Sequence, residues 1–397
     1  MLTAFITALF LVGAGVGLVL CLVQWISLSR HTHVTPPRPT EFPGISILKP
    51  LCGIDDDLER NIAKFATLSY PDYELLLGVR DEHDLAYPIA CEAALLWPTR
   101  VRVLVQHGEP GCNPKVNQLI TLARAARHPI VVVSDSNVRA PSGYLEEIAA
   151  HFQDPGVGLV TSPVVGIDEE TIGSLLDAMH LASGVGASMI TAKRVAGKDF
   201  VVGKSMALRA SDLRALGGFR VVADVLAEDY VLGRMISSVL GKRVVMAHLP
   251  VLNVSRNRSI RSFVDRYRRW NVLHRKGVGT ALYALELILN PVLLATIAFA
   301  ISRKTSTLLA LDLTIVARAL YDASTVTILR GGRMRLSHLL ASPLKDMLLG
   351  VAWIHGLCSN YVSWRGNSLR VLAGTRLAPL LTSSSMPPRS AHPAIES

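Results

Sequence analysis

Between residues 45 and 247, short runs of β-branched and aliphatic residues alternate with segments of helical spacing. This alternation restricts the fold more than any other feature, because strands separated by helices lead to a mostly parallel sheet with helices on its faces. Strands are expected at 45–48, 73–80, 101–105, 130–133, 157–160, 200–208 and 243–247. Helices are expected at 55–68, 85–97, 115–127, 142–152, 170–196, 228–240, and from Ser211 to the Gly217-Gly218 pair. Asp55 and Ser142 are the expected N-caps of their helices. The glycine pair is an expected helix stop. The fold class is α/β.

One strand ends in an informative way. In the stretch 129–139, the apolar run Ile130–Val133 reads as a strand buried on both faces and stops at Ser134, Asp135, Ser136 and Asn137. Carboxylate and amide oxygens at the carboxyl end of a buried strand stand where open α/β sheets bind ligands. Such oxygens suit Mg²⁺ or Mn²⁺ bridging to phosphates, with Asp135 and Asn137 as ligands. An Asx turn ending an ordinary strand is the plainer reading. Asp81 ends the second strand, Asp229 opens a helix after a glycine-rich turn, and Arg266, Arg269 and Trp270 lie in a basic segment. Strand ends and a helix start converge on one crevice in an open sheet. A nucleoside diphosphate held with a metal needs a carboxylate near the base, another at the metal, and cations for the leaving phosphates. Asp229 is the best candidate for a general base toward an incoming hydroxyl. Each residue also has an ordinary reading: a turn, a charge in a first helical turn, a solvated face.

Membrane signals flank this region. Residues 1–29 carry no charged side chain, and Arg30, His31, His33 and Arg38 follow. The run is long enough to cross a bilayer and lacks a basic leader and a cleavage pattern, so an uncleaved anchor is expected. The basic flank puts residue 30 onward in the cytoplasm. Residues 35–43 form a proline-rich linker. Within 256–276 lie Arg256, Arg258, Arg261, Arg266, Arg268, Arg269, Arg275 and Lys276, with apolar residues at intervals of three and four. This is a basic amphipathic helix suited to an anionic membrane surface. Three apolar segments, 278–301, 308–329 and 344–362, are expected as C-terminal spans, and the ionisable groups inside them are expected to face a bundle interior. The expected division is an anchor at 1–29, a catalytic domain at 40–255, the amphipathic helix at 256–277, membrane segments at 278–363 and a partly disordered tail at 364–397. Composition agrees: the chain is 50% hydrophobic with net charge +10, and mean hydropathy is +0.36. The basic excess sits beside apolar spans rather than on a soluble face, which argues against nucleic acid. Five scattered cysteines without a CxxC give neither a disulfide framework nor a zinc site. No obligate protein partner is indicated.

The chain resembles the ceramide glucosyltransferase family, glycosyltransferase family 21, over roughly residues 10–375. The resemblance rests on Ile47-Leu-Lys-Pro-Leu-Cys-Gly53, Gly78-Val-Arg-Asp81, Asn113-Pro-Lys-Val-Asn117, Ser134-Asp-Ser136, Gly217-Gly218, Ala227-Glu-Asp-Tyr230 and Arg266-Tyr-Arg-Arg-Trp270. The family pattern of three separated aspartates before an (Q/R)xxRW motif falls on Asp81, Asp135, Asp229 and Arg266…Arg269-Trp270. The resemblance implies a GT-A nucleotide-diphospho-sugar fold and a UDP-sugar donor, UDP-glucose first. It implies a membrane-lipid acceptor, ceramide first, and inversion at the anomeric carbon. In these terms Asp81 contacts the nucleotide, Asp135 holds the metal–diphosphate, and Lys115 supports the nucleotide or the sheet-end loop. Asp229 is the base, and Arg266, Arg269 and Trp270 stabilise the departing diphosphate. A bacterial member in the inner membrane, related to hopanoid glycosyltransferases, is the expected setting. Glycosylation of a hopanoid or another lipid alcohol is the alternative, followed by a processive polysaccharide synthase and a non-catalytic membrane scaffold. Two departures stand out. Asn137 replaces the second carboxylate of an Asp-x-Asp, and Gly186 falls where animal members carry a histidine, the nearest being His180.

Overall fold

A computed structural model of the chain describes residues 1–332, 334–364 and 367–379. It opens with helix α1 (Leu2–Thr32). The α/β region runs β1 (Ile45–Pro50), α2 (Leu58–Ala66), β2 (Tyr73–Val79), α3 (Tyr87–Leu96), β3 (Val101–Val105), α4 (Pro114–Ala125), β4 (Ile130–Ser134), β5 (Val138–Arg139), α5 (Tyr144–His151), β6 (Val157–Thr161) and β7 (Val164–Ile167). It continues with α6 (Ile172–His180), α7 (Ala187–Ala196), β8 (Ser205–Arg209), α8 (Ala210–Ala215), α9 (Glu228–Ser238), β9 (Arg243–Met246) and β10 (Val251–Val254). Helices α10 (Ile260–Val278), α11 (Thr280–Leu285), α12 (Pro291–Ser302), α13 (Thr305–Arg330) and α14 (Ala341–Cys358) follow, then β11 (Tyr361–Trp364), β12 (Asn367–Val371) and β13 (Leu377–Pro379).

The central sheet has seven strands in the order β3-β2-β1-β4-β8-β6-β9. Every residue of β1, β2 and β4 is buried, as runs rich in Ile, Val and Leu between two helical layers require. The pairs β1–β2, β1–β4, β2–β3 and β6–β9 are parallel. Strand β8 is antiparallel to both its neighbours, so the sheet is mixed rather than mostly parallel. Strand order runs one way through β3, β2 and β1 and then jumps to β4. That reversal opens a crevice beyond the carboxyl ends of β1 and β4, where open sheets bind ligands.

Several local expectations are corrected. The strand expected at 200–208 begins only at Ser205, leaving 200–204 irregular. Helix α2 starts at Leu58, and Asp57 at its cap is left-handed (φ 54°) with no side-chain cap bond. Asp55 instead accepts a hydrogen bond from Ser136 Oγ. Gly143 (φ 79°), not Ser142, precedes α5. The helix expected at 170–196 is broken by a π-helical turn at Leu181–Gly186. Gly184 sits in that turn, where any Cβ would fall 2.2 Å from the His180 ring. A three-stranded sheet β5-β10-β7 also forms, and residues 361–379 make the antiparallel sheet β11-β12-β13 where an irregular tail was expected to begin. The expected disordered stretch from Ser383 lies outside the described residues.

Helix α1 is apolar and carries an uncovered face: Phe5, Leu9, Val12, Val16, Val19 and Leu22 are exposed. Among the described residues it is the one helix long and apolar enough to cross a membrane unaided. The expected span at 278–301 is not a straight helix, because Thr280–Leu289 and Pro291–Ser302 meet at 80°. Pro291 opens α12, where a missing N–H is tolerated. Helices α13 and α14 carry too much charge to pass as simple spans, but most of that charge is internal. Lys345 Nζ lies 2.6 Å from Asp322 Oδ2 and 3.3 Å from Asp346 Oδ1, and Arg318 Nε lies 3.0 Å from Asp346 Oδ2. All four side chains are buried, so two cations and two anions cancel inside the bundle.

The far end of α1 is clasped to the catalytic region. His31 shares a 3.0 Å hydrogen bond with Ala247 O and stacks on His248 at 4.8 Å. Glu147, itself buried, accepts from the backbone N–H groups of His248 and Leu249 at 2.6 and 3.0 Å.

Candidate active site

The crevice beyond β1 and β4 is furnished with lysines. Asn113 caps α4 by accepting from the N–H groups of Lys115 and Val116, and its amide donates to Val225 O at 2.7 Å. This fixes the helix start and aims Lys115 inward. Lys115 Nζ lies 2.9 Å from Asp135 Oδ1 and 2.8 Å from Glu228 Oε1, and donates to Gly203 O at 3.3 Å. One ammonium therefore gathers the end of β4, the start of α9 and the loop before β8. Lys204 Nζ donates to Asp135 Oδ2 at 3.4 Å and Asn137 Oδ1 at 3.1 Å. Beneath them, Lys49 Nζ donates to the carbonyls of Asp135 and Val138 at 2.6 and 3.2 Å.

The electrostatics follow from this packing. Burial works against the Lys115 ammonium, yet Asp135, Glu228 and Asp229 outweigh it and hold its pKa above the usual lysine value. Burial also opposes ionisation of Asp135, but Lys115 and Lys204 hold that carboxyl well below the usual range. Lys49 and Lys204 are pulled down by burial to about 7 and about 8. Asp229 goes the other way. Burial first, then the neighbouring Glu228 charge, push it up to about 6, against the pull of Lys115. Its Oδ2 accepts from Gly203 N at 2.5 Å and its Oδ1 from Tyr230 N at 2.7 Å. A carboxylate held in place with a pKa near neutrality has the properties of a general base.

Helix α10 supplies the opposite wall. Arg266 Nη1 donates to Asp177 Oδ2 at 2.8 Å, and Tyr267 Oη donates to Asp177 Oδ1 at 2.9 Å. The Arg266 guanidinium sits 4.9 Å from the Trp270 ring centre. Part of the Arg266 charge is thus already neutralised within the protein. Arg256 is also paired, with Asp57 and Glu170, whereas Arg261 is 93% exposed. The expected basic surface helix is therefore half a structural strut against α6 and α14.

A single cavity of about 880 Å³ joins these groups. Asp135, Lys204, Asp229 and Arg266 line one part of it, and Leu20 of α1, Leu287 and Leu349 of α14 line another. Of the residues marked in the sequence, Lys115, Asp135, Asn137, Asp229, Arg266, Arg269 and Trp270 all line it. Asp81 does not. Its side chain is half exposed and accepts from His83 N at 2.9 Å, while Arg80 lines the cavity. Strand β2 ends at Val79, so Arg80 and Asp81 lie in the bend beyond it. Sequence reasoning missed Lys49, Lys204, Glu228 and Asp177. A lysine closing the apolar run Ile45–Leu48 was a readable signal for Lys49; the others depend on strand register and helix packing. His180 lines the cavity, edge-on to Tyr267 with ring centres 4.5 Å apart. Gly186 instead packs near Val164 O and Leu329.

The expected metal ligands can be tested against this arrangement. A hard divalent cation takes six or more oxygens. Here the two oxygens marked for it flank the Lys204 ammonium, and the other Asp135 oxygen faces Lys115. Asp229 is occupied by backbone N–H groups and Glu228 by Lys115. This set fits an anion between lysines better than a dication. Among the described residues, one group of three ligand-type side chains comes within 4.8 Å, Glu147, His151 and His248, and none of them lines the cavity.

The family model described as "Glycosyl transferase family 21" matches residues 6–377. The chain belongs to glycosyltransferase family 21. This family 21 chain is 27% identical over 377 residues to "Ceramide glucosyltransferase 3" of Caenorhabditis elegans, covering 91% of this chain and 80% of that protein. It is 30% identical over 246 residues to "Ceramide glucosyltransferase 1" of the same organism, covering 62% of this chain and 52% of that one. Among solved structures it is similar to the mannosyltransferase PcManGT from Pyrobaculum calidifontis in complex with GDP-Man and Mn²⁺, at 17% identity and a TM-score of 0.51, covering 89% of this chain and 99% of that chain. The fold is therefore GT-A-like, and the protein is a ceramide glucosyltransferase-like enzyme.

Proposed function

We propose that this enzyme transfers a hexose from a UDP-sugar, UDP-glucose, to the primary hydroxyl of a membrane lipid, ceramide, with inversion at the anomeric carbon. The single observation that carries this reading is the continuous cavity. It places a cationic sheet-end crevice suited to a diphosphate next to walls from α1, the 286–289 turn and α14 suited to an alkyl chain. The names of the family 21 relatives supply the donor sugar and acceptor.

In this reading the nucleotide lies over the ends of β1 and β2, against Arg80, with its diphosphate between Lys115 and Lys204. The lipid enters from the apolar side and presents its hydroxyl to Asp229. Asp229 takes the hydroxyl proton as the oxygen attacks the anomeric carbon and the bond to the diphosphate oxygen breaks on the opposite face. The growing negative charge on UDP is met by ammonium groups already fixed on largely buried lysine side chains, where such groups help most. Arg266, Arg269 and Trp270 close the acceptor side, with Asp177 orienting Arg266. Mg²⁺ or Mn²⁺ on Asp135 and Asn137 would first have to displace Lys204, so the charge of the leaving diphosphate is assigned to the chain's own cations. Helix α1 serves as the anchor and α11–α14 as the C-terminal membrane part, with the catalytic region on the cytoplasmic side.

The test uses the full chain in lipid nanodiscs with UDP-glucose and ceramide, read by mass spectrometry. Monohexosylceramide and stoichiometric UDP are the expected products. A polymer, or UDP release independent of any lipid, would refute the reading. Parallel runs with UDP-galactose, UDP-glucuronic acid, UDP-N-acetylglucosamine, diacylglycerol and a hopanoid set the specificity.

A further inference from the structure

The register of the central sheet fixes one cation. Strand β8 pairs antiparallel with β4, ending with Ser134 opposite Ser205. Continuing one step brings position 135 across from position 204. Lys204 is consequently not a surface lysine that has strayed inward. Its side chain is only 7% exposed, and its ammonium lies 3.4 Å from Asp135 Oδ2 and 3.1 Å from Asn137 Oδ1. These are the two oxygens that a divalent ion would use. The remaining Asp135 oxygen is held at 2.9 Å by Lys115. Gly203, just before Lys204, keeps the arrangement tight, since a Cβ there would meet Lys115 Nζ at 2.8 Å and Asp229 Oδ2 at 3.1 Å.

A dication between Asp135 and Asn137 would sit beside two ammonium groups, and of the neighbouring carboxylates Glu228 is already paired with Lys115 and Asp229 already accepts from two backbone N–H groups. Magnesium in particular demands near-ideal octahedral geometry and dehydrates reluctantly. An ammonium already held by the same oxygens presents its positive charge to a diphosphate without that requirement. A lysine binds phosphate as a point charge, which is the role needed here.

We propose that Lys204 is a built-in substitute for the divalent cation, so that this enzyme binds the diphosphate of its donor through Lys204 and Lys115 without a metal. The inference rests on the donor reading above and goes beyond it by assigning the cation.

The experiment measures UDP binding to the full chain in nanodiscs by calorimetry, in EDTA and in Mn²⁺, and Mn²⁺ binding alone by electron paramagnetic resonance. The expected result is a UDP Kd that differs by less than about threefold between the two buffers, with no Mn²⁺ retained by the protein. Lys204→Met should weaken UDP binding in EDTA by about tenfold or more and regain affinity when Mn²⁺ is added. Lys204→Arg should keep metal-free binding. Wild-type UDP binding that requires Mn²⁺, or stoichiometric Mn²⁺ uptake by the wild type, overturns the inference while leaving the donor reading intact. Failure to bind UDP in either buffer removes the donor reading and the inference with it. The wild-type measurements need no variant to fold.

Discussion

Asp229→Asn tests the base assignment at one residue with three readouts. Asparagine keeps the shape and one of the two backbone hydrogen bonds that Asp229 accepts from Gly203 and Tyr230. It removes the site that takes the proton. Losing a general base costs about 10²- to 10⁴-fold in turnover. The magnitude for stability comes from the raised pKa. A carboxyl moved from 3.8 to about 6 is disfavoured in its ionised form by roughly 3 kcal/mol at most, taking about 1.4 kcal/mol per unit. Neutralising it relieves that strain, and the unpaired N–H left behind costs about 1–3 kcal/mol. The two nearly cancel, so the melting temperature should change little and lost activity cannot be laid to unfolding. The pH dependence has a definite sign. The folded pKa lies above the unfolded value, so ionising Asp229 weakens the fold as pH rises through 6, while the same ionisation switches the base on. Wild-type kcat/KM should therefore rise with unit slope below pH 6, level off above it, and decline as pH approaches 8, where Lys204 loses its charge. Transfer to ceramide is followed by mass spectrometry over pH 4.5–8, and UDP binding by calorimetry. Retention of more than a tenth of wild-type turnover would refute the base role, as would a variant that keeps the wild-type pH break.

Three further outcomes are expected. Gly203→Ala should lower turnover by about tenfold, because its Cβ would push the Lys115 ammonium and Asp229 out of place and small misplacements at a reacting centre are costly; Gly197→Ala, in open space, controls for this in the same assay. Asp177→Asn removes the negative charge and one of the two oxygens that hold Arg266 and Tyr267, so the buried Arg266 guanidinium loses its counter-ion and the protein should be destabilised by about 3–5 kcal/mol, measured by chemical denaturation. Lys345→Met alone should destabilise the helical bundle by a similar amount, whereas Lys345→Met with Asp322→Leu should recover most of it, since removing both partners of a buried pair is nearly neutral; thermal unfolding in detergent of the two variants checks this.

The clasp at the end of α1 limits how independent the anchor is. His31 reaches Ala247 and His248, and Leu28 is fully buried in a cluster with Val165 and Met246. The apolar helix α1 is therefore packed against the α/β region rather than tethered by a loose linker. Deeper in the helix, Gly17 packs instead against the 286–289 turn, where any side chain would collide with Ile288 O at 2.4 Å. Such close packing helps to form the apolar part of the cavity.

Much of this was written locally along the chain. All seven strands of the central sheet were legible because buried strands are short runs of β-branched residues, and that signal needs no partner to be read. Asp135 and Asn137 were marked because they follow such a run at the end where open sheets bind ligands, Asp229 because it opens a helix after a glycine-rich turn, and Arg266–Trp270 because they fall in a basic amphipathic segment. The apolar run of residues 1–29 declared a helix long and apolar enough to cross a membrane, and α1 has that length and composition. What the tertiary structure decided was which side chains meet. Strand β8 is antiparallel, and only that register sets Lys204 opposite Asp135. Asp177 meets Arg266 because α6 packs on α10, and the pairing of Lys345 with Asp322 needs α13 beside α14. Asp81 lies in the bend past the end of β2 and outside the cavity, a placement that composition does not mark. The stretch 129–139 read by itself as an Asx turn and became a ligand site only beside Asp229 and Arg266–Trp270, and whether its oxygens hold a metal or an ammonium is a question of what lies across the sheet. Contacts between residues 69 positions apart are set by strand pairing, and strand pairing is a property of the folded chain.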